Sequence, residues 1–238
     1  MQIAVSDVLH DDLKPIDEMA LNWIVDELFP SDVVHKASQK IKSISYRWPK
    51  CSFTEKLAFC NSLYEILFSS YFPKPKCVSF HQSHRSAAGL FYSKYWQIEL
   101  IGDYLERAPF HDLIGVYLHE SFHAFLHFLS LCLSPAIASP ILWPPYHIIQ
   151  IANQIKIDSA RPILFKIAKR NLLGMFDRGG ISIDSYYINV EILVDNFAER
   201  LFKKLFPGIT YGRGYAKSEN YINQRLSKSP PESAIKTW

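Results

Sequence analysis

Cysteine is scarce in this chain. The 238 residues hold four (Cys51, Cys60, Cys77 and Cys132), none of them in a CxxC pair. Their spacing offers no small secreted disulfide framework, so reduced and mostly buried thiols are expected. An excess of one charge is lacking too: 26 Lys and Arg against 23 Asp and Glu leave +3 at pH 7. That is too little to imply a nucleic-acid partner, and Lys36, Lys40, Lys42, Lys203 and Lys204 read as a solvated surface. Met1 to Leu13 carries Asp7, Asp11 and Asp12 without an apolar core, so it does not read as a secretory signal. A cytoplasmic location is expected, although unconventional export leaves no such mark. A hydrophobic content of 48% with 21% charged residues describes a folded globular protein with one substantial core.

One absence is local. Ala124 to Pro145 contains no Asp, Glu, Lys or Arg and is long enough to consider as a membrane span. Pro135, Pro140, Pro144 and Pro145 break helix continuity there, and His127, Ser130, Ser134 and Ser139 interrupt the apolar surface. A buried helix end followed by a Pro-rich loop over the core is the expectation, in preference to an intramembrane or membrane-surface position.

What the chain does contain is concentrated in His119-Glu120-Ser121-Phe122-His123, an HExxH set. Residues four apart on a helix lie roughly 40° from a common face, so both imidazoles can address one metal ion. Glu120 projects from a neighbouring face. Zinc held by the histidines lowers the pKa of a bound water toward about 7, and Glu120 can take its proton and pass it to a leaving amine. The motif has meaning only on a helix. Phe110, Leu113, Ile114, Tyr117, Leu118, Phe122, Phe125, Leu126 and Leu129 recur mostly at three- and four-residue spacings, with no Gly or Pro between Val116 and Ser134. The competing reading is a buried, hydrogen-bonded His/Glu cluster without metal.

Around this motif the chain reads as α+β. Helices are expected over Ile16–Leu28, Ser31–Ile44 (with Ser31 as N-cap) and from Ser52 or Thr54 to Phe68, where Ser52-x-x-Glu55 forms a capping-box pattern. Three short strands follow at Lys76–Gln82, Ala88–Tyr92 and Tyr95–Ile101. In the last of them Trp96, Ile98 and Leu100 alternate with Gln97 and Glu99, giving one buried face. Further helices are expected over Pro162–Phe176 and Ser185–Phe206, broken by Gly179-Gly180 and stopped by Pro207-Gly208. The organisation is then a helical section (1–75), a core bearing the motif (76–217) and a polar tail (218–238).

Two histidines leave the ligand set short of a third protein group. His127 lies two turns beyond His119, about 12 Å along a straight helix, and reads as a packing histidine or one that orients a ligand. The helix containing Glu191, Asp195 and Glu199 offers carboxylates on overlapping faces of an apolar segment. Glu191 is the first choice as ligand and Asp195 the alternative; a second carboxylate can orient His119 or His123 through its free ring nitrogen. Glu199, beside Arg200, reads as solvent-facing.

Short strands, an HExxH helix and a later helix with Glu191 followed by Phe197-Ala198 resemble the zincin metallopeptidases in their ImmA/IrrE-type form, and the SprT-like group shares the strand-then-HExxH layout. The resemblance covers roughly Cys77 to Phe206. Phe122 departs from it, standing where those families carry Gly or a small residue, and the span from His123 to Glu191 is longer. The resemblance implies a zincin-like fold: a small, mostly antiparallel sheet packed on the active-site helix, with N-terminal helices added. It also implies a zinc-dependent peptidase acting on a protein or peptide substrate, with the Tyr95–Ile101 strand bordering the cleft and pairing with an extended peptide. Tyr186, Tyr187, His147, Tyr211 and Arg213 are open candidates for the oxyanion donor. The alternative is a zinc-containing regulatory or interaction protein with little or no hydrolytic activity.

Overall fold

A computed structural model describes residues 18–80, 88–101, 108–155, 162–178 and 190–211. The expected polar tail and the first residues of the chain lie outside these. Helices α1 (Glu18–Leu28), α2 (Ser31–Ser45) and α3 (Phe53–Leu67) open the fold. Pro30, extended at φ −62° and ψ 161°, occupies the N-cap of α2, so Ser31 is the first helical residue and not the cap. Proline breaks α1 because its ring removes a backbone donor. At α3 the capping box is formed: Ser52 Oγ accepts from the Glu55 amide at 3.3 Å, and the Glu55 carboxylate accepts from the Ser52 amide at 2.7 Å.

The three strands β1 (Lys76–Phe80), β2 (Gly89–Tyr92) and β3 (Gln97–Ile101) form one sheet in the order β1-β3-β2. β1 runs parallel to β3 and β2 antiparallel to it, so the sheet is mixed where a mostly antiparallel one was expected. The short Ser93–Tyr95 turn returns β2 directly onto β3, and β1 takes the other side. Ile98 and Leu100 are buried while Gln97 and Glu99 are half-buried.

Trp96 ends that turn in the left-handed region (φ 50°), one residue before the strand begins. A bulky residue there costs about 1–2 kcal/mol. Burial offsets the cost: the indole nitrogen donates to the Pro73 carbonyl at 2.7 Å, and the ring packs on Phe91 and Phe128.

The central element is α4 (Phe110–Leu133), buried on all sides from Leu113 to Cys132. It packs against β2, β3 and, among the described residues, each helix that follows it. Phe122 is the hub, with Phe29, Phe68 and Phe197 at ring distances of 6.0, 5.6 and 5.3 Å. Helices from the start and the end of the chain thus share one core with α4.

The Pro-rich passage is helical, not a loop. Pro135 starts α5 (Pro135–Leu142), where its missing N–H costs nothing. Pro144 and Pro145 separate α5 from α6 (Tyr146–Gln154). Trp143, at the C-cap of α5, is the second left-handed residue (φ 50°). α7 (Pro162–Arg178) lies along α4, joined through fully buried polar side chains: Asn171 Nδ2 donates to Ser130 Oγ at 2.9 Å. Val190 and Glu191, in π-helical geometry, lead into α8 (Ile192–Leu205). No helix among the described residues is long and apolar enough to cross a membrane.

Candidate metal centre

His119, Glu120 and His123 sit at the middle of α4 with exposures of only 5%, 7% and 7%. Their placement follows from the helix: Phe122 takes the face toward the aromatic core, which turns His119 and His123 toward the start of α8. The stack of Phe122 on Phe197, with ring planes 18° apart, fixes α8 against α4. Glu191 and Asp195, four residues apart and hence neighbours on one helical face, are carried to the histidines by that contact.

The ligating atoms converge. His119 Nε2 and His123 Nε2 are 3.1 Å apart, and each lies 3.4 Å from a carboxylate oxygen of Glu191. One atom from each residue can be chosen so that all lie within 4.8 Å of one another. Ligands about 2.0–2.1 Å from a tetrahedral zinc are separated by about 3.3–3.4 Å, close to these values. In the metal-free protein these groups hydrogen-bond to one another, and the same three side chains are arranged around a common point. The donor set, two imidazoles and one carboxylate with a position left over, suits catalytic zinc.

Asp195 is placed differently. Its Oδ1 lies 3.0 Å from His119 Nδ1, the ring atom facing away from the cluster. A carboxylate there keeps the proton on Nδ1 and leaves Nε2 free to ligate. Burial alone pulls the His119 pKa down, but hydrogen bonds to Asp195 and Glu191, with the charges of Asp195 and Glu120, raise it to about 9 in the metal-free protein. Burial likewise works against an ionised Glu191, yet the charge of His123 and hydrogen bonds from both histidines hold its carboxyl well below the usual range.

Glu120 lies against β2. A Cβ built on Gly89 would come 3.0 Å from Glu120 Cγ and 2.6 Å from Val116 Cγ1, so only glycine lets the strand approach this closely. Nothing in the local pattern of the sequence marks Gly89 for this role; the signal lies in which helix the strand meets. The sequence-based expectation that the Tyr95–Ile101 strand pairs with substrate is corrected by the topology. β3 is central, with its hydrogen-bonding edges taken by β1 and β2. The strand beside Glu120 is β2, which pairs only with β3 among the described residues.

His127 stands outside the ligand cluster, packed edge-on against Phe91 with ring centres 5.2 Å apart. Glu199 pairs with Lys203 at 2.7 Å on the surface. Tyr211 packs on Phe202, toward the opposite end of α8 from Glu191. His147 is exposed on α6. Tyr186, Tyr187 and Arg213 lie outside the described residues. No protein-family model matches this chain, and no curated protein or solved structure shows significant similarity to it.

Proposed function

We propose that this protein is a zinc-dependent peptidase acting on a protein or peptide substrate. The observation that carries this reading is the convergence of His119 Nε2, His123 Nε2 and the Glu191 carboxylate beside a buried fourth group, Glu120. In this reading His119, His123 and Glu191 hold the metal. Zinc, when bound there, would supply Lewis acidity toward a water and a substrate carbonyl. Glu120 takes the proton from the attacking water and returns it to the leaving amine. Asp195 holds the His119 ring in one tautomer and orientation. The edge of β2 offers backbone donors and acceptors to an extended peptide beside Glu120.

The near-complete burial of the same residues favours a second reading, a zinc-containing regulatory or interaction protein, because hydrolysis needs an opening for substrate. Zinc content by elemental mass spectrometry, with cleavage of an unfolded protein substrate, separates the two. The peptidase reading expects about one zinc per chain, lost in His123→Ala. It also expects Glu120→Gln to keep the zinc while losing cleavage by at least about a hundredfold. Stoichiometric zinc without cleavage in the wild type selects the regulatory reading; no zinc after reconstitution removes both.

A further inference from the structure

β2 leads away from Glu120 and ends in the turn Ser93–Tyr95. There Ser93 Oγ donates to the Leu142 carbonyl at 2.5 Å, which ties the turn to the C-terminus of α5. The next residue, Trp143, is 69% exposed, and Tyr95 and Tyr146 are 62% and 73% exposed. Large aromatics thus stand in solvent on adjoining backbone at the far end of the strand. Trp143 contrasts with Trp96, the other left-handed tryptophan: Trp96 is buried and hydrogen-bonded, whereas Trp143 is mostly in water. Glycine would satisfy the Trp143 backbone at no strain. The ring therefore does little for the fold.

The surroundings narrow the chemistry. From Ala124 to Ile155 the chain has no Asp, Glu, Lys or Arg. The charge of the turn itself is Lys94, whose ammonium lies 5.7 Å from the centre of the Tyr95 ring. Exposed aromatics bind apolar or aromatic side chains, and the Lys94 cation already over the Tyr95 ring repels a second, basic one. At about 3.3 Å per residue, Gly89 to Ser93 spans about 13 Å. A peptide paired along β2, with its scissile bond at Glu120, reaches the aromatics about four residues away.

We infer that Tyr95, Trp143 and Tyr146 form a specificity subsite for an apolar or aromatic residue of the substrate, about four residues from the scissile bond. This rests on the peptidase reading for the location of the bond, and on the continuity of β2 between Glu120 and the turn for the choice of an extended peptide as occupant.

The test uses the zinc-reconstituted full chain carrying Glu120→Gln and an array of unstructured peptides of about twelve residues, with wild-type cleavage of the same peptides followed by mass spectrometry. Peptides with Trp, Phe or Leu are expected to be retained over those with Lys or Arg. Adding Trp143→Ala should weaken retention by about tenfold, and Trp143→Phe should restore most of it. Retention unchanged by Trp143→Ala, or no retention by any form, overturns the subsite. So does Trp143-dependent binding to phosphatidylcholine vesicles in place of peptides. Trp143-dependent retention with no wild-type cleavage keeps the subsite and rejects the peptidase reading. Cleavage at the same bonds with and without Trp143 does the reverse.

Discussion

His119 donates through Nδ1 to Asp195, while its Nε2 faces His123 and Glu191. One ring thereby joins a helix from the middle of the chain to a helix near its end, and each of its nitrogens has a separate task. The carboxylates of Glu191 and Asp195 are accordingly not equivalent. Glu191→Ala is expected to abolish stoichiometric zinc, whereas Asp195→Ala should retain it with affinity lowered by about 10–100-fold. Competition with a chromogenic chelator measures both. Zinc lost in Asp195→Ala and kept in Glu191→Ala would reverse the assignment.

Gly89→Ala tests the contact between strand and helix. The added methyl meets Val116 at 2.6 Å and the stem of Glu120 at 3.0 Å, so either the strand or the glutamate must move. Overpacking of this kind costs about 1–3 kcal/mol, readable as a lower midpoint in urea. Cleavage should fall further than folding does, because Glu120 must stay aligned. A variant with wild-type stability and activity would show that β2 is free to draw back.

The thiols give a test independent of metal. Burial pushes Cys132 up to about 12, and a hydrogen bond with Cys77, together with burial, raises Cys60 well above its usual value. At pH 8 both are protonated and enclosed, so iodoacetamide should label the half-buried Cys51 before either of them in the native protein. The sign for stability follows. A raised folded pKa means that the unfolded chain loses its protons first, so the Cys132 contribution is full below about pH 9 and declines as pH rises toward 12. Peptide mass mapping reads the labelling, and urea midpoints across alkaline pH read the stability; early labelling of Cys132 would place it outside the core.

The grouping of His119 and His123 was legible because four-residue spacing on an apolar helix is a local property of the chain. Glu191 and Asp195 were legible as a shared face for the same reason, though their split between Nε2 and Nδ1 depends on how α8 docks. Strand alternation showed which side of β3 is buried, yet it carries no information about neighbours. The order β1-β3-β2, and with it the edge beside Glu120, therefore had to come from tertiary structure. The Pro-rich passage reads as a loop and folds as two short helices, because Pro135 suits a first helical turn and Pro144-Pro145 separates helices as readily as it shapes a loop. Phe122, large and apolar inside the HExxH motif, has a structural task of its own in its stack on Phe197.

The candidate ligand groups come from two places far apart along the chain, α4 and the start of α8. During synthesis the ribosome releases His119 and His123 long before Glu191 and Asp195, and α8 can dock only after Phe197 has also emerged. A growing chain therefore carries half a site until nearly all of the folded core exists. The candidate centre is therefore complete only in a chain whose two segments have met, and the place where they meet is the stack of Phe197 on Phe122.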